Sequence, residues 1–271
     1  MARFTNILII GATGSIRSIV LEAFQRDSSF NLTVLQRASS KSSLSDQLKI
    51  MTIADSYLTE ELVAAFKDWD FFRMVDAAIT VGVQRYVLSE YALNSVFAEK
   101  GKVQAYLRAK AEEGKIEWMS ISCGVWLKWG APRNFVGLYV EEQRFVFWDD
   151  GIGYFSCTTE ENTVAGLLQA LKIPEETKNM NLFLSDFAIT QKQLLDAVER
   201  VQGVKYTTET VNSETFIKER QEAARQGDAF ATLALIETGF KEGVIPNEKL
   251  GLPKRTPDEV VAEALKSIGV L

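Results

Sequence analysis

The sequence predicts an α/β protein: a doubly wound parallel sheet covered by helices, followed by a smaller α/β portion. Three observations carry this. An apolar run feeds a glycine turn that opens a helix at residues 7–17, Ile-Leu-Ile-Ile-Gly-Ala-Thr-Gly-Ser-Ile-Arg. Short apolar runs then alternate with amphipathic stretches as far as Gly124. Beyond Gly124 the alternation changes. This predicts one domain over residues 1–124 and a smaller portion over 125–271, interleaved with the first.

Each element has its own signal. Ile7–Ile10 is a continuous apolar run, as a strand buried on both faces requires. The following helix carries Ile16, Ile19, Val20, Ala23 and Phe24 on one face, at the spacing of a 3.6-residue period. Leu32–Gln36 and Lys49–Ala54 read as strands, with a polar loop over Arg37–Ser45 between them. Thr59 is placed to cap a helix through Phe66, and Phe71–Val81 reads as another helix. Arg85–Ser89 is a strand, Val96–Glu113 a long helix and Glu117–Ser122 a strand. In the second portion, Arg144–Trp148 is a strand before an Asp-Asp-Gly turn. Thr158 with Glu161, and Thr190 with Gln193, have the spacing of capping boxes for helices through Leu171 and Val201. Leu182–Leu184 and Tyr206–Val211 read as strands, and the C-terminal third as mostly helical.

Composition excludes several functions. The chain has no histidine, so Ser-His-Asp and Cys-His catalysis and histidine-ligated metals are ruled out. Two isolated cysteines, Cys123 and Cys157, form neither a disulfide framework nor a zinc pattern. A net charge of −6 argues against nucleic acid as a partner. No apolar run approaches the roughly 20 residues that span a bilayer. The short run before Gly11 is no signal peptide, so a cytoplasmic location is expected.

The glycine turn is the principal motif. Gly11 and Gly14 let the backbone turn tightly after a strand, and the free N–H groups of the helix start favour a phosphate. A third glycine would stand at position 17, where the chain has Arg17. At the end of the second strand an Asp or Glu would accept from a ribose 2′-OH; here Gln36 and Arg37 stand, with Lys41 nearby. A guanidinium suits a 2′-phosphate, which favours NADP over NAD. The long helix offers two lysines. Tyr106 and Lys110 have the Y-x-x-x-K spacing that puts phenol and ammonium on one face, with Ser89 as the usual partner; Lys100 lies on a different face of the same helix. Either lysine, or neither, is the catalytic group on this evidence. Trp126, Trp129, Phe135, Tyr154 and Phe155 follow the last strand of the first domain. They form either a pocket wall for an aromatic substrate or ordinary core.

Taken together, several segments resemble the NmrA-like, isoflavone-reductase-like group of atypical short-chain dehydrogenases, and fungal members most. These are GATGSI at 11–16, VDAAITVGVQRYVLSEY at 75–91 and VFAEKGKVQAYL at 96–107. SCGVWLKWG at 122–130, FWDDGIGYFSCTTEENT at 147–163, IPEETKN at 173–179 and DFAITQKQLLDAVE at 186–199 add to them. The resemblance implies a Rossmann-type domain with a small C-terminal substrate domain, NADP(H) as cofactor, and reduction of a small phenolic-type substrate. It implies that Gly11, Thr13, Gly14, Ser15 and Ile16 hold the pyrophosphate, Arg37 and Lys41 the 2′-phosphate, and that Lys100 is the catalytic lysine. The NmrA branch also includes dinucleotide-sensing regulators that act through a protein partner. The chain departs from the pattern at Arg17 and is short after Asp70, between Tyr91 and Val96, and near Gly243–Asn247. The first shortening removes one sheet strand. Either the Arg85–Ser89 strand then moves in beside the first strand, or a gap is left there.

Overall fold

The computed structural model describes residues 4–10, 15–40, 44, 48–53, 70–88, 98–226 and 247–271. In chain order the elements begin with strand β1 (Asn6–Ile10), helix α1 (Ser15–Arg26), β2 (Asn31–Arg37), β3 (Lys49–Ile53), α2 (Asp70–Thr80), β4 (Arg85–Leu88), α3 (Ala98–Glu112) and β5 (Glu117–Cys123). They continue with the one-turn α4 (Leu127–Gly130), β6 (Leu138–Tyr139), β7 (Arg144–Trp148), β8 (Tyr154–Cys157), α5 (Glu160–Lys172) and β9 (Met180–Leu184). The last are β10 (Phe187–Thr190), α6 (Gln191–Gln202), β11 (Thr207–Val211), α7 (Ser213–Arg225) and α8 (Pro257–Ser267). The sheets have the orders β1-β2-β3, β4-β5-β9, β11-β7-β6 and β10-β8. β1, β2 and β3 run parallel, as do β7 and β11.

The chain divides into two compact units. Unit 1 comprises Met1–Val87, Val103–Met119 and Val164–Met180; unit 2 comprises Leu88–Lys102, Ser120–Thr163 and Asn181–Leu271.

In unit 1, the β1-β2-β3 register aligns Ile9 with Val34 and Ile10 with Leu35 and Met51. Side chains aligned across parallel strands share a face. On one face Val34 is buried with Leu21 of α1, and Ile9 and Leu32 pack against them. On the other face Leu8 is 51% exposed, Ile10 38% and Met51 50%. A parallel sheet normally buries both faces. Among the described residues β1 pairs with β2 alone, and β4 stands in another sheet. So, among the described residues, β4 does not move in beside β1. A helix opens at Asp70, where the shortening falls; the predicted helix from Thr59 to Phe66 lies outside the described residues.

Arg85 anchors the rest of unit 1. Its guanidinium, 1% exposed, donates to Glu117 Oε2 at 2.8 Å, the Pro174 carbonyl at 2.6 Å and Thr177 Oγ1 at 3.0 Å. Lys178 reaches the other Glu117 oxygen at 2.7 Å. Near the surface, the Lys172 ammonium at 2.6 Å from Asp27, helped by Ser29, holds that carboxyl down to about 2.

In unit 2 one cluster forms the core, with Phe145, Phe155, Leu194, Val198, Val261 and Leu265 in it. The capping box of α6 is as expected: Thr190 Oγ1 accepts from Gln193 N, and the Gln193 side chain accepts from Thr190 N. A second box, Thr256 with Glu259 and Pro257 in the first turn, starts α8. The box expected from Thr158 falls one residue later. Thr159 Oγ1 accepts from Asn162 N at 3.1 Å and so caps α5. Thr158 is drawn away: its hydroxyl accepts from Gly124 N at 2.7 Å and donates to the Leu184 carbonyl at 2.8 Å. The Asp-Asp-Gly turn is present, with Asp149 and Gly151 at positive φ and Asp149 Oδ1 accepting from Ser213 N.

Two predictions follow from unit 1. Arg85→Ala strips a buried carboxylate of its main partner and should cost about 3 kcal/mol in urea unfolding. Asp27→Asn should cost under about 1 kcal/mol at pH 7, the scale of a surface pair. Because the folded pKa of Asp27 is depressed, that contribution is present above about 3.8 and fades as pH falls toward 2. Melts of the two proteins at pH 7, 4 and 2 should therefore converge at the acid end.

Candidate functional site

The site begins where β1 ends. Ile10 is its last residue and Ser15 the first of α1. Gly11, Thr13, Gly14 and Lys41 lie outside the described residues. Ile16 sits half-buried in the first turn of α1, which has no acidic residue. The partial positive charge of that turn is therefore not offset by the helix itself. The parallel register pairs Ile10 with Leu35, so β1 and β2 finish side by side, and Arg37 is the last residue of β2. Arg17 lies within α1, at its third residue.

The two lysines of α3 separate clearly. Lys100 is the third residue of the helix. Tyr106 and Lys110 do share a face, with the ammonium 5.3 Å from the ring centroid. Yet the phenol is not activated. Tyr106 donates to Asp76 Oδ1 at 2.6 Å, and that bond, with some burial and the nearby negative charge, pushes the phenol up to about 12. A base here needs a lowered pKa. Lys110 reaches Glu113 at 3.1 Å. The Y-x-x-x-K spacing is met, but its chemistry is reversed by a carboxylate on α2. Ser89 lies outside the described residues.

The five aromatics do not act together. Phe135 and Phe155 are core residues of unit 2. Trp129 packs edge-on against Phe135 at 5.6 Å, with the Arg133 guanidinium 4.4 Å from the Trp129 ring. Tyr154 is 69% exposed on β8. Trp126 is half-buried, three residues past the end of β5. It is held by α5: Trp126 Nε1 donates to Thr163 Oγ1 at 3.0 Å. Lys128 reaches Glu161 at 3.3 Å. The Glu160 carboxyl is buried, and burial raises its pKa. Glu160 and Thr163 were not singled out from sequence; their signal was the Glu-Glu-Asn-Thr run that opens a helix. Behind this segment Cys123 and Cys157 are buried free thiols, and burial pushes Cys123 up to about 12. Thiols so placed are inert.

Among the described residues no cluster of His, Cys, Asp or Glu could hold a metal ion, and no helix is long and apolar enough to cross a membrane. A spectrophotometric titration at 295 nm tests the phenol. The Tyr106 phenolate, read as wild type minus Tyr106→Phe, should appear with a midpoint of about 12 and move down toward 10 in Asp76→Asn.

No family model matches the chain. Among curated proteins, it is 28% identical to the oxidoreductase aprR of Aspergillus flavus, over 96% of this chain and 99% of that one. Among solved structures, isoflavone reductase superposes with a TM-score of 0.73 at 17% identity, covering 95% of this chain and 98% of its own. AtPrR2 with NADP+ and (+)pinoresinol superposes at 0.74 and 16% identity, covering 97% and 99%. The fold is thus Rossmann-type. The chain is thus similar in fold to isoflavone reductase and in sequence to a fungal oxidoreductase.

Proposed function

We propose that the chain is an NADP(H)-dependent reductase acting on a small aromatic, phenolic-type substrate. Residues 1–124 would hold the cofactor and residues 125–271 the substrate. One observation carries the reading: α1 has no acidic residue in its first turn, and β2, paired with β1, ends in Arg37. Gly11, Thr13, Gly14, Ser15 and Ile16 supply backbone N–H groups and close packing for the pyrophosphate. Arg37 and Lys41 pair with the 2′-phosphate, Arg37 through the fork geometry that planar phosphate recognition favours. AtPrR2 binds NADP+ and (+)pinoresinol, which supports both halves of the reading.

The reduced cofactor supplies a hydride when bound. The remaining requirement is a proton for the substrate, and the resemblance to isoflavone-reductase-like proteins gives that role to Lys100. Its Nζ delivers the proton directly or through a water, and orients the cofactor ribose. A cytoplasmic site goes with this reading, since buried free thiols at Cys123 and Cys157 suit a reducing compartment.

A second reading has its own support. Arg17 stands where a third glycine would be, and β1 pairs with β2 alone among the described residues. A protein altered around its cofactor could retain binding without turnover, as a sensor that reports the dinucleotide to a protein partner.

Nicotinamide fluorescence decides between them. NADPH should bind, and Arg37→Ser should weaken it by about 10- to 100-fold, the loss of one charge-assisted bond, while leaving NADH nearly unchanged. No binding at millimolar NADPH overturns both readings. Lys100→Ala should lower turnover by about 100-fold or more without moving cofactor affinity. Cofactor binding with no turnover on any phenol or quinone would favour the sensor.

A further inference from the structure

Of the five aromatics, Trp126 is the one whose orientation is locked by polar contacts. Thr163 is fully buried, and its hydroxyl donates to the Thr159 carbonyl at 2.9 Å. With its only hydrogen committed there, Thr163 Oγ1 can act toward Trp126 only as an acceptor, and it accepts the indole N–H at 3.0 Å. A ring flip would break that bond. The backbone is fixed as well: the Trp126 carbonyl accepts from Gly130 N at 2.8 Å, and Val125 N donates to the Ser156 carbonyl at 2.8 Å. The first turn of α5 therefore grips this segment at two places: Thr163 on the indole of Trp126 and Glu161 on Lys128. The ring so held is half-buried, at the carboxyl end of β5, where ligands of open α/β sheets bind.

A large, rigid ring held in one orientation loses little entropy on contact with a flat ligand. Its polar edge is engaged, so the surface it presents is apolar. The structure assigns Trp126 as the stacking residue for a planar aromatic substrate, with Thr163 as the positioning residue that sets the plane of the ring. This rests on the reductase reading for the word substrate, but the binding it predicts can be measured without cofactor or turnover.

The test uses the full chain and a matched pair of probes, 2-naphthol and its saturated counterpart decahydro-2-naphthol, in isothermal titration with and without NADP+. The planar probe should bind about tenfold more tightly than the puckered one. Trp126→Phe should retain that preference, while Trp126→Leu should abolish it and weaken 2-naphthol by about tenfold. Thr163→Val should weaken 2-naphthol severalfold in the wild-type background and not at all on Trp126→Phe, which has no indole N–H to position. Thermal melts of each variant separate this from loss of fold, and Trp126→Phe with Thr163→Val carries the test should Trp126→Leu unfold. Equal binding of the two probes, no binding of either, or an unchanged preference in Trp126→Leu overturns the assignment. Failure of NADPH to bind would overturn the reductase reading and leave the naphthol preference standing.

Discussion

Everything after β5 depends on a close crossing at Gly124. Its N–H is shared between Thr158 Oγ1 at 2.7 Å and the Leu184 carbonyl at 3.2 Å. A Cβ at this position would lie 2.5 Å from the Ser156 carbonyl carbon. No other residue lets the chain leave β5 this close to β8. The crossing then seals itself, because Val125 N bonds to the Ser156 carbonyl and Thr158 N to the Val125 carbonyl. Buried backbone groups must be paired, and here each pairing also sets direction. The direction matters because the next residue is Trp126.

A second polar hub holds the far side of the same crossing. Asp186 accepts from Thr159 N at 2.8 Å, from Asn162 Nδ2 at 2.8 Å and from Asn247 Nδ2 at 2.9 Å. Asn162 also donates to the Pro253 carbonyl at 3.0 Å. One carboxylate thus fixes the start of α5, the turn between β9 and β10, and the short helical turn Asn247–Leu250. Unit 1 works differently. Its β1-β2-β3 sheet is covered by α1 on the Val34 face and leaves Leu8, Ile10 and Met51 open on the other. Its polar anchor is the Arg85–Glu117 pair, which specifies geometry more than it stabilises.

What could be read in the sequence divides along the same line. Local signals were legible: the strand over Arg144–Trp148, the Thr190–Gln193 box and the Asp149–Gly151 turn all depend on neighbours within a few residues. Long-range competition was not. Thr158 has the spacing of a cap, but a Gly124 N–H thirty-four residues away takes its hydroxyl. Tyr106 and Lys110 have the spacing of a catalytic pair, but Asp76, thirty residues away, reverses the effect on the phenol. The short strands β8 and β10 were missed because Tyr154 and Phe155 read equally well as pocket or core, and only pairing between Phe187–Thr190 and Tyr154–Cys157 decides. The proposed site is legible as a pattern of backbone positions: Ser15 and Ile16 at a helix start, Arg37 at a strand end, Lys100 early in α3.

The helix starts themselves make the last argument. An N-terminus carries N–H groups that need partners and a partial charge that needs an anion. In α5, Glu160 and Glu161 stand in the first turn and Thr159 caps it. In α7 there is Glu214, with Asn212 accepting from Thr215 N at 3.0 Å. In α8 there are Asp258 and Glu259 behind a capping box. In α6, which has no acid in its first turn, a full capping box serves instead. These four helices meet their own needs. α1 has no acid in its first turn, and the residue before Ser15 is Gly14, which has no side chain to cap with. A helix with no acid in its first turn gains from an anion placed there. The strand paired with β1 ends in Arg37. In the NADP(H) reading proposed above, this helix start takes the pyrophosphate and Arg37 the 2′-phosphate, with Arg17 where a third glycine would stand.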